Sequence, residues 1–297
     1  MILVTGGTGF VGNAVVRELL DSSHRVRVLA RRPERAALQP GPSFQAASGD
    51  VTDISSILKA ITPEIETVIH LVGILAESRG ARFQAVHVDA TRNVVEACKG
   101  MGVGRLLHMS ALGAREGAAS EYHRTKWEAE EIVRASGLGY TIFRPSVIFG
   151  PRDHFTNLFA RMMRLSPVVM VPGSGRGLMQ PVYVGDVAKA FALSLRKKET
   201  IGKTLELGGP EKLTFDEVIE RIGEAAGLRR RKLHVPMPLM RANALLAEKL
   251  LSKPPFSRDA LKMLEEENTT ALNALVEVFG MTPRALSEGM REYLGAA

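Results

Sequence analysis

The sequence predicts an α/β fold, in which a doubly wound parallel sheet is followed by a small, mostly helical C-terminal lobe. Short apolar runs alternate with helix-like stretches up to about residue 145, and a glycine-rich turn joins the first run to the first helix. After about Gly150 this alternation changes to longer helical patterns. Strands that alternate with helices form parallel sheets through right-handed crossovers, so we expect one such sheet in the first half of the chain.

The first strand and the turn after it are the most informative segment. Ile2–Val4 is a short apolar run, as expected of a strand buried on both faces. Gly6, Gly9 and Gly12 follow with the spacing G-x-x-G-x-x-G, and Phe10–Leu20 continues as a helix. The N–H groups and dipole of a helix N-terminus favour a pyrophosphate there. The segment therefore predicts a dinucleotide site in a Rossmann-type sheet, formed by Gly6, Thr8, Gly9, Phe10, Val11 and Gly12.

The end of the second strand indicates which dinucleotide binds. Where such folds bind NAD, an Asp or Glu about 20 residues past the glycines accepts the ribose 2′-hydroxyl. Here Arg25–Ala30 ends in Arg31 and Arg32, and no carboxylate precedes Glu34. A guanidinium suits the 2′-phosphate of NADP, so we expect NADP(H) rather than NAD(H). The alternative is that both arginines are solvated at a strand end.

The remaining elements of the first half follow in regular order. Thr67–Val72 is nearly all apolar, as a central parallel strand should be. The other predicted strands are Phe44–Ala47, Leu106–Met109 and Tyr140–Phe143, and the predicted helices are Ile54–Ala60, Arg82–Lys99 and Ser120–Ala135. These elements predict a dinucleotide-binding domain over residues 1–150.

The second half predicts a mixed substrate or partner lobe over residues 151–297, of which about 178–200 packs back on the sheet. Asp153 should cap a helix that ends at Arg164, and Thr214 should begin another with Glu217 three residues later. Further strands are predicted at Pro167–Pro172 and Lys203–Leu207, and helices at Val184–Arg196, Thr214–Ala226, Leu239–Leu251, Asp259–Glu266 and Arg284–Leu294.

Composition limits the choice of partners. The net charge is +7, but the basic residues are scattered without interleaved aromatic groups, so we expect no nucleic acid. The dense cluster Arg229–Lys232 is explained by a helix C-terminus, with anionic lipid or an acidic protein as the alternative. Cys98 is a lone cysteine, and no histidine spacing indicates a metal. The chain opens at its first strand without a cationic leader, so we expect a cytoplasmic protein.

Tyr122 and Lys126 form the candidate catalytic pair. Residues at i and i+4 lie on one helix face, one turn apart, and an ammonium near a phenol is expected to lower the phenol pKa from about 10. Such a tyrosine acts as general acid or base at a carbonyl or carbinol, while the lysine holds ribose hydroxyls. The Y-x-x-x-K pattern also arises by chance. Its position after the fifth strand, at the sheet edge that faces the cofactor, favours function.

These motifs resemble the short-chain dehydrogenase/reductase superfamily, in its extended and atypical, NAD(P)-dependent epimerase/dehydratase-like branches. TGGTGFVG, the Gly49–Val51 turn, HLVG, SALGA, YHRTK and FRPSVIFGP occur in the family's order, and QPVYVGDVAKAF continues it at 180–191. The resemblance implies that Asp50 and Val51 contact the adenine, that Leu71, Val72 and Gly73 line the ribose and phosphates, and that Pro145 lies near the nicotinamide.

One position of the family pattern has two readings. The third catalytic residue is a Ser or Thr near the end of strand five, often the second of a pair, and here the sequence is Met109-Ser110-Ala111. Either Ala111 holds that place and the triad is incomplete, or Ser110 orients the substrate carbonyl.

The segments FSRDALKMLEEENTT and FGMTPRALSEGMREYL resemble the branch of the NADPH-binding accessory subunit of complex I, whose cofactor is often described as structural.

Three functions are consistent with these residues. The first is an oxidoreductase that transfers hydride between NADPH and a carbonyl, or an enzyme with an epimerase-like redox cycle. The second is an accessory or assembly protein in which NADPH stabilises a fold that associates peripherally with a membrane complex at the inner membrane. The third is a redox sensor that reports the NADPH/NADP ratio to a partner. The Met- and Leu-rich segment Val235–Leu251 predicts a packed core, or else an apolar substrate pocket or partner surface. An apolar pocket would favour a hydrophobic or quinone-like substrate.

Overall fold

The computed structural model describes residues 1–35, 41–78, 80–250 and 257–295. The chain divides into two compact units. The first unit comprises Met1–Arg144 and Gly185–Glu206, and the second comprises Pro145–Val184 and Leu207–Ala297. Among the helices in the described ranges, none combines the length and apolar character that crossing a bilayer requires.

Strands alternate with helices along much of the chain. The strands are β1 (Ile2–Thr5), β2 (Val26–Ala30), β3 (Phe44–Ser48), β4 (Thr67–His70), β5 (Arg105–Met109), β6 (Gly139–Pro145), β7 (Ile148–Phe149), β8 (Val168–Pro172), β9 (Leu178–Met179), β10 (Val182–Tyr183), β11 (Lys203–Leu207), β12 (Leu213–Thr214) and β13 (Arg231–Val235). The α-helices are α1 (Phe10–Asp21), α2 (Ile54–Ala60), α3 (Ala90–Gly100), α4 (Glu121–Arg134), α5 (Thr156–Leu165), α6 (Val184–Ser194), α7 (Phe215–Ala225), α8 (Met237–Leu250), α9 (Arg258–Leu264), α10 (Ala274–Glu277) and α11 (Leu286–Leu294).

The first unit contains a seven-stranded sheet in the order β11-β6-β5-β4-β1-β2-β3. Every pairing from β6 across to β3 is parallel. The strand order reverses beside β1, which pairs with β2 on one side and β4 on the other. Ligands of open α/β sheets bind at such a reversal, outside the carboxyl ends of the strands. The predicted doubly wound parallel sheet is confirmed.

The core on one side of this sheet is aliphatic. Leu3, Val68, Leu106 and Ile142 come from neighbouring strands, and all four are fully buried in one cluster with side chains of α2, α3 and α4. Burying an aliphatic side chain of this size contributes about 1.5–3 kcal/mol. This packing explains why a chain with only 5% aromatic residues can form a large sheet.

The second unit has a different core, in which aromatic rings are central. Phe155, Phe159 and Phe215 pack edge to face, with ring centroids 5.4–6.1 Å apart. Helices α5, α7 and α11 supply most of the cluster, together with β8. Three two-stranded sheets, β7–β10, β9–β12 and β8–β13, supplement the helices. The functional division into domains 1–150 and 151–297 stays a prediction.

The cap predicted at Thr214 is present, whereas the N-cap residue of α5 is Phe155, which forms no side-chain cap hydrogen bond. The Thr214 hydroxyl accepts the N–H of Glu217, whose carboxylate accepts the N–H of Thr214, which completes a capping box at the start of α7. Buried Asp153 accepts the N–H groups of Gly150, Phe155 and Thr156, and so holds the turn from which α5 begins.

Several boundaries differ from the sequence-based predictions. Residues 82–99 were expected to form one regular helix, but Gln84–Asp89 is a π-helical turn that leads into α3. Helix α8 begins at Met237 rather than Leu239, and the predicted end at Leu251 lies outside the described residues. The short helix α10 and the two-residue strands carry too few residues to show a periodic pattern.

Candidate functional site

The glycine turn has the tight geometry that its spacing predicts. Gly6 has a positive φ of 76°, in the region that favours glycine. Gly9 donates its N–H to the Gly6 carbonyl at 3.0 Å. A Cβ on Gly12 would lie 2.1 Å from the Gly6 oxygen, so only glycine lets α1 approach the turn so closely. These contacts hold the N-terminus of α1 at the carboxyl end of β1.

The N-terminus of α1 suits an anion. Gly9 occupies the N-cap position and supplies no side chain, no described side chain caps the helix, and its first turn carries no acidic residue. The first amides of a helix lack partners within it, and they favour negative charge. Thr8 and Phe10 are half-buried, while Val11 and Gly12 are buried, so the latter two offer backbone rather than side chains. The cradle fits a dinucleotide pyrophosphate.

The next two strands present different groups at the same edge. Arg31 and Arg32 follow β2 and are exposed, and neither forms an ion pair with a carboxylate in the described ranges. After β3, the Asp50 carboxylate accepts the Thr52 N–H at 3.0 Å, which fixes the turn that carries Val51. The carbonyl of Val51 accepts a hydrogen bond from Asn93 at 3.0 Å. The adenine contacts of Asp50 and Val51 stay predictions.

Lys126 is brought next to the loop that follows β4. Its side chain is only 2% exposed, and its Nζ donates to the carbonyl of Met109 at 3.0 Å. A Cβ on Gly73 would lie 3.0 Å from that Nζ, so the ammonium lies beside the Gly73 backbone. Burial lowers the pKa of Lys126 to about 8, against the opposing effect of the Glu130 carboxylate. Two segments predicted to bind the ribose thus meet here.

The cofactor contacts of Leu71, Val72 and Pro145 stay predictions. Leu71 is buried and donates its N–H to the Thr5 carbonyl at 3.1 Å, which continues the β1–β4 ladder by one residue. Val72 is half-buried, and Gly73 is exposed at the end of this segment. Pro145 is the buried last residue of β6.

Tyr122 differs from the sequence-based expectation in its ionisation. Its partly buried ring meets those of Phe83, His87 and His123 edge-on, with centroids 5.4–6.0 Å apart. Burial raises the pKa of Tyr122 to about 12, whereas the lysine was expected to lower it. Burial disfavours the phenolate, and the Lys126 charge does not offset that penalty. The phenol is therefore protonated at neutral pH.

Ser110 extends the β5–β6 pairing, because its N–H donates to the carbonyl of Phe143 at 2.7 Å. The residue is 3% exposed, and its hydroxyl has no hydrogen-bond partner among the residues that the structure describes. Buried hydroxyls without partners are uncommon, so this one is suited to a bound ligand. Ala111 is also buried. The assignment of the third catalytic position to Ser110 stays a prediction.

His87 is a neighbour of this site whose contacts the sequence did not predict. Its Nε2 accepts the Ile74 N–H at 3.1 Å. Its Nδ1 lies 2.9 Å from the Thr125 hydroxyl, which itself lies 2.9 Å from the Glu121 carbonyl. Burial lowers the pKa of His87 to about 2, so the ring is neutral. It joins the loop after β4 to α4 from the middle of a π-helical turn, for which the sequence carries no periodic signal.

Two further histidines, His70 and His108, lie in the interior of the sheet. His70 and His108 stack with ring centroids 5.4 Å apart, and His70 Nδ1 lies 2.6 Å from the Thr5 hydroxyl. Burial lowers the pKa of His70 to about 3. In the parts of the chain that can be described, no group of three or more His, Cys, Asp or Glu side chains could hold a metal ion.

The fold and the site define a dinucleotide-binding Rossmann protein with a tyrosine–lysine pair on the helix after β5. A family model described as "NAD dependent epimerase/dehydratase family" matches residues 2–208. The chain belongs to this family, and NAD(P) binding is therefore expected of it.

Relatives by sequence include subunits of complex I and two bacterial proteins. NADH dehydrogenase (ubiquinone) 1 alpha subcomplex subunit 9 of Rattus norvegicus is 30% identical over 85% of this chain and 67% of its own length. Ceramide reductase of Caulobacter vibrioides is 28% identical, over 83% of this chain and 77% of its own. Sterol demethylase protein B of Methylococcus capsulatus is 29% identical, over 88% and 87%.

Solved structures share the fold over nearly the whole chain. The crystal structure of gox2253 has a TM-score of 0.76 and 23% identity, and covers 98% of this chain and 96% of its own. UDP-glucose 4-epimerase of Thermotoga maritima has a TM-score of 0.75 and 22% identity, over 99% and 97%. At this identity the likeness concerns the fold alone.

Proposed function

We propose that the chain is an NADP(H)-dependent oxidoreductase that reduces a carbonyl group on a hydrophobic, lipid-like or quinone-like substrate. The observation that carries this proposal is the placement of Tyr122 one helical turn from Lys126, which is 2% exposed and lies beside the Gly73 backbone. A protein that only holds its cofactor has no use for a proton donor at this position. In the reduction direction the phenol of Tyr122 is the general acid, and in the reverse direction its phenolate is the general base.

Each residue has a separate task in this mechanism. The cofactor, when bound, supplies the hydride. Tyr122 gives its proton to the carbonyl oxygen as negative charge develops there. Lys126 holds the ribose hydroxyls beside Gly73, and the unpartnered Ser110 hydroxyl donates to the same carbonyl oxygen and orients it.

The preference for NADP(H) rests on charge at the end of β2. Arg31 and Arg32 are exposed and have no carboxylate partner within the described ranges, so both guanidinium groups are available to a 2′-phosphate. In NAD-binding folds a carboxylate stands in this region and repels that phosphate.

The hydrophobic substrate class is supported by two observations. Ceramide reductase and sterol demethylase protein B, two relatives of similar length, are named for lipid substrates. Helix α8, in the Met- and Leu-rich segment, buries Met240 and Ala244 but leaves Leu239 and Leu246 more than half exposed. Apolar surface beyond the needs of the core favours an apolar ligand or partner.

The test follows NADPH absorbance with long-chain ketones, ketosteroids and quinones. We expect turnover with at least one class, and a loss of about 10²–10⁴-fold in kcat for Tyr122→Phe with NADPH affinity retained. Tyr140→Phe, on β6 and outside the site, is the matched control and should keep full activity. Equal activity of Tyr122→Phe and the native chain would exclude the phenol as the proton donor.

A second candidate function is supported by the complex I relatives. In this case the chain holds NADPH without turning it over, as an accessory, assembly or redox-sensing protein at the surface of a membrane complex, with a cytoplasmic location beside the inner membrane. The relatives' names connect them to such a complex. Tight NADPH binding without turnover on any of the three substrate classes would favour this candidate over the first.

A further inference from the structure

The two-stranded β8–β13 sheet of the second unit has an outer face with an unusual composition. In its register Val168 pairs with Arg231, and Met170 pairs with Leu233. All four are exposed, with Met170 at 43% and Leu233 at 54%. Leu165, at the end of α5, is 78% exposed. We call these five residues the outer face.

The inner face of the same sheet is already used by the core. Val169 and Val171 are fully buried in one cluster with residues of α5 and α7. Lys232 on β13 pairs with the carboxylate of Glu220 on α7. A strand with apolar residues on both faces is typical of a sheet that is covered on both sides. The second unit covers only one side of β8, so the outer face is suited to an external apolar partner.

The two chain segments that carry the outer face have formal charges of one sign. Residues 154–185 and 225–247, which contain both strands, have no Asp or Glu, and together they carry eight Lys or Arg residues. The exposed arginines in these segments that lack a carboxylate partner among the described residues are Arg161, Arg164, Arg176, Arg229 and Arg231.

The two acid-free segments lie side by side. Arg230 Nε donates to the carbonyl of Met163 at 2.6 Å, which holds the start of β13 against the end of α5. Arg164 and Leu165 at that end therefore adjoin Arg229 and Arg231 on the other segment. The two segments therefore place exposed cationic and aliphatic side chains on neighbouring elements.

We propose that this outer face binds an anionic lipid bilayer. Guanidinium groups pair with lipid phosphates, and the aliphatic side chains enter the boundary between headgroups and acyl chains. Nucleic acid is a poorer fit, because the outer face has no aromatic side chain to stack on bases. An acidic protein would match the arginines but leaves the exposed Leu, Met and Val side chains unexplained. The proposal holds whether or not the bound cofactor turns over.

The test is sedimentation of the full chain with vesicles of phosphatidylcholine alone and of phosphatidylcholine mixed with phosphatidylglycerol. We expect binding to the mixed vesicles, weak binding to the neutral ones, and release as salt is raised. Met170→Asn with Leu233→Asn should weaken partitioning about tenfold or more, because two apolar anchors are removed. The matched control is Leu75→Asn, an exposed leucine of the first unit at 56%, which should bind as the native chain does.

A second variant keeps the test decisive if the double asparagine chain does not fold. Arg164→Gln with Arg231→Gln changes only exposed charge, and each arginine near the surface accounts for about fivefold in binding. Thermal melting checks the fold of every variant. The proposal is overturned by absence of binding to anionic vesicles, by binding that ignores lipid charge, or by equal losses in the Leu75 control. Binding to an acidic polypeptide but not to vesicles would assign the face to a protein partner and overturn it as well.

Discussion

The first unit buries a cluster of ionisable groups, whereas the second unit exposes a cluster of apolar side chains on the outer face. Lys126 and Glu130 are at most 2% exposed, and Arg144 contacts Glu130 through two hydrogen bonds of 2.7–2.8 Å. In the second unit Leu165 and Leu233 stay largely in solvent. Both arrangements make folding less favourable than it could be. A buried charge loses its hydration, and an exposed leucine contributes no hydrophobic stabilisation. Such costs mark functional surfaces, one for a small molecule and one for a larger partner.

Asp153 shows that burial of charge alone is not the distinguishing feature. This carboxylate of the second unit is buried too, but the amides of Gly150, Phe155 and Thr156 surround it. Its role is to start a helix. The first unit instead buries an ammonium with one backbone carbonyl as its hydrogen-bond acceptor and a hydroxyl without a partner in the described ranges. The buried polar groups of the site therefore differ from Asp153 in having fewer hydrogen-bond partners within the described ranges.

The largest effect is expected from Gly12→Ala in the first unit. The new Cβ would lie 2.1 Å from the Gly6 carbonyl oxygen and force α1 away from the turn. We expect loss of measurable NADPH binding by titration calorimetry and a decrease of about 1–3 kcal/mol in the free energy of unfolding. Gly100→Ala, where a Cβ meets open space at the end of α3, is the control and should bind normally. Normal binding by Gly12→Ala would refute the cradle.

A smaller effect is expected at the end of β2. Arg31→Gln with Arg32→Gln removes the groups proposed to pair with the 2′-phosphate, so NADPH affinity should fall about tenfold or more while NADH affinity stays constant. Arg25→Gln, which starts the same strand segment and pairs with Glu64, is the control. Equal losses for both dinucleotides would assign the arginines to the pyrophosphate or to folding rather than to the choice of cofactor.

The smallest effect is an expected increase in the free energy of unfolding when the buried Lys126 is replaced. Lys126→Met should raise the free energy of unfolding at neutral pH by about 1–2 kcal/mol. The reason is that burial destabilises the charged ammonium, as the native pKa of about 8, below the unfolded value of 10.5, indicates. Below pH 8 the lysine is charged in both the folded and the unfolded chain, so the full penalty of burying the charge applies. Between pH 8 and 10.5 the unfolded chain binds more protons, so the native chain gains stability as pH rises and the difference narrows.

Chemical denaturation at several pH values measures this difference. Leu233→Asn is the comparison from the second unit, and its free energy of unfolding should stay within about 0.5 kcal/mol of the native value at every pH, since the side chain is already exposed. A destabilised Lys126→Met chain would mean that the hydrogen bond to Met109 outweighs the cost of burial.

Features that depend on residues close together in the chain could be predicted from the sequence, whereas features that depend on distant residues could not. The G-x-x-G-x-x-G turn and the Thr214–Glu217 capping box could be predicted because the contacting residues are neighbours in the chain. The parallel sheet followed from alternation over many residues. The raised pKa of Tyr122 could not be predicted, since it depends on burial by residues from other elements. The π-helical turn around His87 has no distinctive period, so its contacts with Ile74 and Thr125 were also missed.

The discontinuity of the first unit has a consequence for synthesis. Strand β6 is complete at Pro145, but β11, which covers its free edge, ends only at Leu207. At about 5–20 residues per second, a ribosome needs about 3–12 seconds to supply the missing strand. During that interval β6 is an open sheet edge, and open edges pair with other chains. The nascent chain is therefore exposed to pairing at β6 after its cofactor-binding turn has been made and before β11 has covered that edge.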